Sequence, residues 1–194
     1  MLEKVKFNPG IRESVIKALK DNRKDFQRAS FYKADLSRLD LDNLDLNHAS
    51  FCLTKLEGTY FSRSNLKKAA FLSVNLNEAN LYMADLEGAV FESSDMQKAA
   101  FEGANLKKAI FHRTNLGSTL FYQANLEGAD LRETDMTEAD LLEADFTMAD
   151  LRGVRGLEKC LNLGRAVFYK TKVTPKEKRI IERAYSYNFD VLRD

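Results

Sequence analysis

The chain has 194 residues, of which 44% are hydrophobic and 30% are charged, and its formal net charge is +1 at neutral pH. These values are ordinary for one soluble domain. They exclude a transmembrane span and a disulfide framework, since no apolar run is long enough and only Cys52 and Cys160 are present. The first ten residues hold no apolar stretch of signal-peptide length. We therefore expect a cytoplasmic protein that does not associate with membranes.

The first predicted element is a helix near the N-terminus. Asn8-Pro9 can start a helix, because Asn is a good N-cap and Pro suits the first helical position. One face of residues 9–22 would carry four apolar residues. These are Ile11, Val15, Ala18 and Leu19. Residues 1–23 are accordingly predicted to form an N-terminal helical cap.

A five-residue repeat follows. Every fifth position is Leu, Phe or Met, and counting from Phe26 to Leu151 in steps of five gives 26 repeats. In a helix, five residues turn the chain by about 500°, so the apolar positions would circle the axis. In a strand, an odd spacing would send successive side chains to opposite sides. The chain must therefore turn once per repeat, and four repeats close a roughly square coil with the Leu and Phe side chains inside.

A second, longer period supports the square. Phe recurs at every fourth repeat, at Phe31, Phe51, Phe71, Phe91 and Phe111, which indicates that one coil takes four repeats. Coils stacked at the ~4.8 Å spacing of neighbouring strands would make a rod roughly 31 Å long. Such a solenoid needs caps at both open ends.

The repeat, with units such as Ala84-Asp85-Leu86, resembles the pentapeptide-repeat family over about residues 24–155. The resemblance implies an all-β solenoid, a right-handed quadrilateral β-helix with short α-helical caps. It does not imply one function. The family includes antibiotic-resistance proteins that bind DNA gyrase as duplex mimics, thylakoid and cyanobacterial proteins, and secreted effectors.

The repeat register breaks at Gly156, so residues 156–194 are predicted to form a C-terminal cap. A strand is expected over Arg165–Val173. The sequence Thr174-Pro175-Lys176-Glu177 then has the form of a capping box that starts a helix. The apolar stripe of that helix contains Ile180, Ile181, Ala184 and Tyr185. We expect the stripe to pack on the final coil; the alternative is a homodimer contact, since gyrase-directed relatives dimerise through their C-terminal ends.

Acidic residues concentrate near the end of the repeat region, where the only basic residue among them is Arg132. They are Asp130, Glu133, Asp135, Glu138, Asp140, Glu143, Asp145 and Asp150. A duplex mimic would need such a surface, because it must replace phosphates against a basic groove. The other interpretation is a solvated acidic end that keeps the rod soluble.

Apolar residues also occupy outward positions of the predicted square. One face gathers Tyr60, Tyr82, Met83, Leu120, Tyr122 and Leu142, and the opposite face gathers Leu53, Ala70, Leu72, Val90 and Ile110. Exposed apolar patches generally mark contact surfaces. A terminal helix folded back over one of these faces is the alternative.

No catalytic, cofactor-binding or metal-binding residues are predicted. His48 and Cys52 could flank one corner, but two ligands make a weak metal site. We therefore expect a non-enzymatic interaction scaffold that binds an unidentified protein partner through its apolar and acidic faces and that forms a homodimer if the C-terminal stripe is exposed. Direct nucleic-acid binding is not expected. The alternative function is a DNA mimic that binds gyrase or another topoisomerase and inhibits or protects it.

Overall fold

The computed structural model describes residues 8–191, with the side chains of residues 8–186. Helix α1 spans Pro9–Lys20 and helix α2 spans Pro175–Val191, and two short 3-10 helices lie between the repeats and α2, at Leu157–Lys159 and Leu163–Arg165. The outermost parts of the two predicted caps, residues 1–7 and 192–194, lie outside the described residues.

Each repeat contains a tight turn just after its central apolar residue. The turn closes through a backbone hydrogen bond in which, for example, the Ala29 amide donates to the Phe26 carbonyl at 3.0 Å. The second residue of the turn has a positive φ, 53° at Met83 and 67° at Gly88. This is the backbone of a type II turn, and its repetition bends the chain once in every repeat.

The coils stack through single parallel bridges between residues that lie four repeats apart. Asp40 pairs with Tyr60, Tyr60 with Asn80, and Asn80 with Ala100, and three further ladders of this kind run up the other sides. The square coil of four repeats is thus present. The β-strands expected of an all-β chain are not observed. Within residues 8–191 each side contributes one bridging residue, too short for a β-strand, because the next turn begins at once.

The interior is a closely packed column of the central side chains. Phe51, Phe71 and Phe91 are fully buried, and their rings stack with centroids 4.8 Å apart. Polar residues that enter the core are hydrogen-bonded: the Thr54 hydroxyl, for instance, donates to the Phe31 carbonyl at 2.8 Å. The periodic Phe side chains therefore point inward. The spacing between successive coils equals the 4.8 Å distance between their stacked rings.

The N-terminal end of the rod is completed by α1 and the residues after it. The first coil has no earlier coil to donate hydrogen bonds to its carbonyls. Arg12 Nη1 donates to the carbonyls of Asp35 and Ser37 at 2.9 and 3.1 Å, and Arg23 Nε donates to the carbonyl of Asp25 at 2.7 Å. Since unpaired backbone groups at an open edge are costly, these arginines act as part of the cap.

The solenoid extends further than the repeat pattern indicated. Asp140 bridges to Leu161, Asp145 to Val167 and Asp150 to Lys172, so one more coil follows Gly156. This last coil is longer than the coils before it, because the two 3-10 helices add residues at the corners. The strand expected over residues 165–173 is replaced by the end of the second 3-10 helix and two isolated bridges.

Helix α2 begins at the predicted capping box and packs on this last coil. The Thr174 amide donates to Glu177 Oε2 at 2.7 Å, and the carboxylate of Glu177 is buried. Burial works to raise the pKa of Glu177, but the hydrogen bonds from Thr174 outweigh it and the pKa is lowered. The Tyr185 hydroxyl donates to the Ala166 carbonyl, so the far end of the rod is also capped by a side chain.

Candidate protein-interaction surface

The six apolar residues predicted to share one face lie on one side of the rod. Tyr60 and Leu120 are bridging residues of the ladder that runs from Asp40 to Asp140, and the others occupy the turns that follow this ladder. We call this side, ladder and turns together, the tyrosine face. Tyr60, Tyr82 and Tyr122 are 48%, 42% and 41% exposed, so neither terminal helix covers them; Met83 and Leu120 are also exposed, and Leu142 is half-buried.

A smaller apolar strip lies on the opposite side. Ala70, Val90 and Ile110 follow one another along a single ladder, and Leu72 occupies the turn beside Ala70. Only Leu72 and Ile110 of this group are clearly exposed. The strip therefore presents less apolar surface than the tyrosine face, and its aromatic content is confined to Tyr32 near the N-terminal end.

The predicted acidic residues encircle the rod and do not share a side. Because each repeat moves the chain to the next side, consecutive acidic pairs are distributed over all four sides. We call them the acidic band: Asp130 and Glu133, then Asp135 and Glu138, then Asp140 and Glu143, and finally Asp145. A band of this kind does not present phosphate-like charges along one groove-sized surface.

Much of the acidic band is paired with basic residues, and apart from Arg132 these lie outside the acidic segment of the sequence. Arg132 Nη2 lies 2.6 Å from Asp130 Oδ2, and this hydrogen-bonded pair lowers the pKa of Asp130. Arg113 Nε, from the previous coil, lies 3.2 Å from Glu133 Oε2 and lowers the pKa of Glu133. Further partners come from neighbouring coils: Arg155 lies near Asp135, and Arg165 lies near Glu143.

The tyrosine face differs electrostatically from the other three sides. Its columns hold five carboxylates, on Asp40, Asp42, Glu102, Asp140 and Glu143, against one basic residue of the repeat region, Arg63. On another side, by contrast, Lys107 Nζ lies 2.7 Å from Glu127 Oε2. Among residues 8–186, Glu143 is the one carboxylate of the tyrosine face with an ion-pair partner, Arg165 at 3.7 Å.

The tyrosine rings show the same contrast. Tyr32 and Tyr169 lie on other sides, and each has the ammonium group of the next residue, Lys33 or Lys170, 5.0 Å from its ring centroid. Within the described part of the chain no cation lies over the rings of the tyrosine face. The reason is local, since Tyr82 and Tyr122 are followed by Met83 and Gln123.

The apolar stripe of α2 is used inside the chain. Ile181 is buried, and Ile180, Ala184 and Tyr185 are half-buried against the last coil, where the Tyr185 ring meets Phe168 edge to face at 6.4 Å. This packing is the first of the two roles considered for the stripe. The side chains of this stripe are thus largely buried by contacts within their own chain.

Two open grooves of about 500 Å³ flank the rod, one between α2 and the last coil and one along the corner beside Ser73 and Ser93. Cys160 lines the first groove, and burial raises the pKa of its thiol to about 12, so the thiol is neutral at physiological pH.

No cluster of metal-ligating side chains occurs among the described residues. The same part of the chain contains no helix long and apolar enough to cross a bilayer.

Two family profiles together cover residues 24–155: one described as pentapeptide repeat region matches residues 24–101, and one described as pentapeptide repeats matches residues 84–121 and 119–155. The chain belongs to the pentapeptide-repeat family. Members of this family are typically non-enzymatic scaffolds. A search of curated proteins gave no significant match.

Similar solved structures agree with the fold. Two trypsin-treated variants of QnrB1, a plasmid-mediated fluoroquinolone resistance protein, are each 22% identical to this chain. One covers 84% of this chain and 88% of its own with a TM-score of 0.54, and the other covers 81% and 86% with a TM-score of 0.57. HetL from Nostoc sp. strain PCC 7120, involved in heterocyst differentiation regulation, is 20% identical over 82% of this chain and 93% of its own, with a TM-score of 0.37. The two QnrB1 structures, whose TM-scores exceed 0.5, imply the right-handed quadrilateral β-helix.

Proposed function

We propose that this protein is a non-enzymatic interaction scaffold that binds a protein partner through the tyrosine face. The observation that carries the proposal is the concentration of exposed aromatic and apolar side chains on one side of a rigid rod. Tyrosine is a favoured anchor at interfaces, because it buries a large area and loses little side-chain entropy. The stacked coils behind the face hold these residues at fixed spacings.

The proposal does not require the acidic band. Ion pairs with Arg132, Arg113, Arg155 and Arg165 already reduce the field of the band, and exposed paired charges contribute little to association. The alternative of a gyrase-directed duplex mimic rests on family resemblance, and likeness to QnrB1 at 22% identity supports the fold alone.

Site-specific photocrosslinking tests the docking surface. We would place p-benzoylphenylalanine at Met83 on the tyrosine face and, as a matched control, at Met148 on the adjacent side. Both are exposed methionines, 51% and 54%, at the same turn position, with φ of 53° and 59°. In native extract, the probe at Met83 should give a discrete crosslinked product, and the probe at Met148 should not.

Replacing Tyr82 and Tyr122 with Ser should abolish that product while leaving the fold intact, since surface changes usually alter stability by only ~0.5 kcal/mol. A crosslink of the chain to itself would identify the partner as a second copy. Identical products from both probe positions, or a product unaffected by the tyrosine changes, would refute the docking surface.

A further inference from the structure

The repeat at residues 99–103 forms a notch across the tyrosine face. On this side the repeat carries only Ala100, Glu102 and Gly103, and the exposed Gly103 has no side chain, so the Met83 side chain lies beside it, 3.3 Å from where a Cβ would stand. The coils before and after carry the large side chains Tyr82 and Tyr122 at the position equivalent to Glu102. The floor of the notch therefore holds one carboxylate, and an aromatic ring lies on each side of it.

The spacing of the notch suits a cation. Stacked Phe rings measure the rise per coil as 4.8 Å, so the backbones of Tyr82 and Tyr122, two coils apart, are about 9.6 Å from each other along the rod. Rings that extend outward at this spacing leave a gap in which a cation lies within the ~6 Å range of a cation–π contact, next to the Glu102 carboxylate of the coil between them.

The described residues of the protein do not supply this cation. Within residues 8–186 no ion pair involves Glu102, and no Lys or Arg lies over either ring, whereas the lysines after Tyr32 and Tyr169 do cover those rings. Five carboxylates against Arg63 in the columns of this face give it a net negative charge within the repeat region. Charge complementarity therefore selects a positively charged occupant.

We propose that Tyr82, Glu102 and Tyr122 form a clamp for an arginine or lysine side chain of a basic segment on the protein partner. The inference rests on the proposed function, because it names the chemistry of the partner that docks on the tyrosine face. Leu120 and Met83 would then pack against the aliphatic stem of the bound side chain, since long cationic side chains bury their stems on apolar surface.

The clamp can be tested with a small probe. We would titrate the protein, with carbon-13 in its tyrosine rings, with N-acetyl-arginine amide and with the neutral isostere N-acetyl-citrulline amide. The arginine compound should shift the ring resonances of Tyr82 and Tyr122 saturably and leave Tyr32 unchanged. The citrulline compound should produce no saturable shift. Equal shifts from both compounds would refute recognition of charge.

Matched variants assign the role of the carboxylate. Glu102→Gln should lower the affinity for the arginine compound roughly two- to fivefold, which is the effect of one exposed charge contact. Glu127→Gln changes a carboxylate at the equivalent turn position on another side, where Lys107 already pairs with it, and should leave the affinity unchanged. An unchanged affinity in Glu102→Gln would refute the clamp.

The crosslink at Met83 separates the clamp from the proposed function. If both are right, millimolar N-acetyl-arginine amide should reduce crosslinking, and the citrulline compound should not. If the crosslink forms but neither compound reduces it, the clamp is wrong and the docking surface stands. If the Met83 crosslink does not form, the docking surface fails, and the clamp as a partner site fails with it.

Discussion

Gly156 is the residue at which a small substitution should have a large structural effect. It has a φ of 74° and opens the first 3-10 helix. A Cβ at this position would lie 2.2 Å from Thr137 Oγ1 and 2.7 Å from the backbone nitrogen and Cα of Thr137 in the coil below. Thr137 cannot turn away without cost, because its hydroxyl donates to Asp135 Oδ1 at 2.7 Å.

Gly128→Ala provides the control. Gly128 has a φ of 68°, but the nearest atom to an added Cβ is Lys108 Cγ at 3.6 Å, an ordinary contact. The control should therefore cost only the backbone strain, about 1 kcal/mol. Gly156→Ala adds a backbone displacement of the kind caused by overpacking, about 1–3 kcal/mol, so the expected total is about 2–4 kcal/mol.

Thermal unfolding followed by circular dichroism would measure the difference. For a chain of this size 1 kcal/mol lowers Tm by roughly 2–4 °C, so Gly156→Ala should lower Tm two to four times as far as Gly128→Ala. Coils of a solenoid contact only their neighbours, so the loss should begin in the last coil. Hydrogen exchange at the amides of Val167 and Lys172 would detect it. Equal losses in the two variants would show that the close approach to Thr137 is not what requires glycine.

Three further predictions concern the core, acid stability and gyrase. Phe91→Asp should destabilise the rod by several kcal/mol in urea unfolding, because a charge would replace a ring stacked on both neighbours; a parent-like midpoint would contradict the inward column. Asp150 is hydrogen-bonded to Arg152, and its pKa is lowered from an ordinary value of 3.8. A lowered pKa gives stability that is present above pH 3.8 and is lost as pH falls through the folded-state value. Asp150→Asn should therefore remove part of the stability loss below pH 3.8, and an unchanged acid transition would refute the pairing. Purified protein should not inhibit gyrase supercoiling potently at stoichiometric concentration, because the acidic band encircles the rod and is largely paired; strong inhibition that charge reversal in the band abolishes would establish the duplex-mimic alternative.

The candidate site was only partly predictable. Tyr60, Tyr82 and Tyr122 could be assigned to one face by folding the sequence at four repeats per coil, because that period places them in the same or adjacent columns. Glu102 was missed, although it lies in the column of Tyr82 and Tyr122, since one carboxylate among many carries no signal by itself. Its significance depends on contacts that neighbouring residues do not make: Lys107 pairs with Glu127 on another side, and lysines lie over Tyr32 and Tyr169, but none of the described residues forms an ion pair with Glu102.

The sequence by itself determined the square coil, the inward Phe column and the starts of both helices. These features are local or strictly periodic, so each repeat specifies its own turn and its own buried residue. The tertiary structure decided which side-chain contacts form between coils at the two ends of the rod. Arg165 reaches Glu143 only because the 3-10 helices lengthen the last coil and shift its register, and Arg12 finds the carbonyls of Asp35 and Ser37 only because the first coil has an open edge. A strict repeat contains neither contact, since both arise where the repeat ends and stacking geometry alone sets the neighbours.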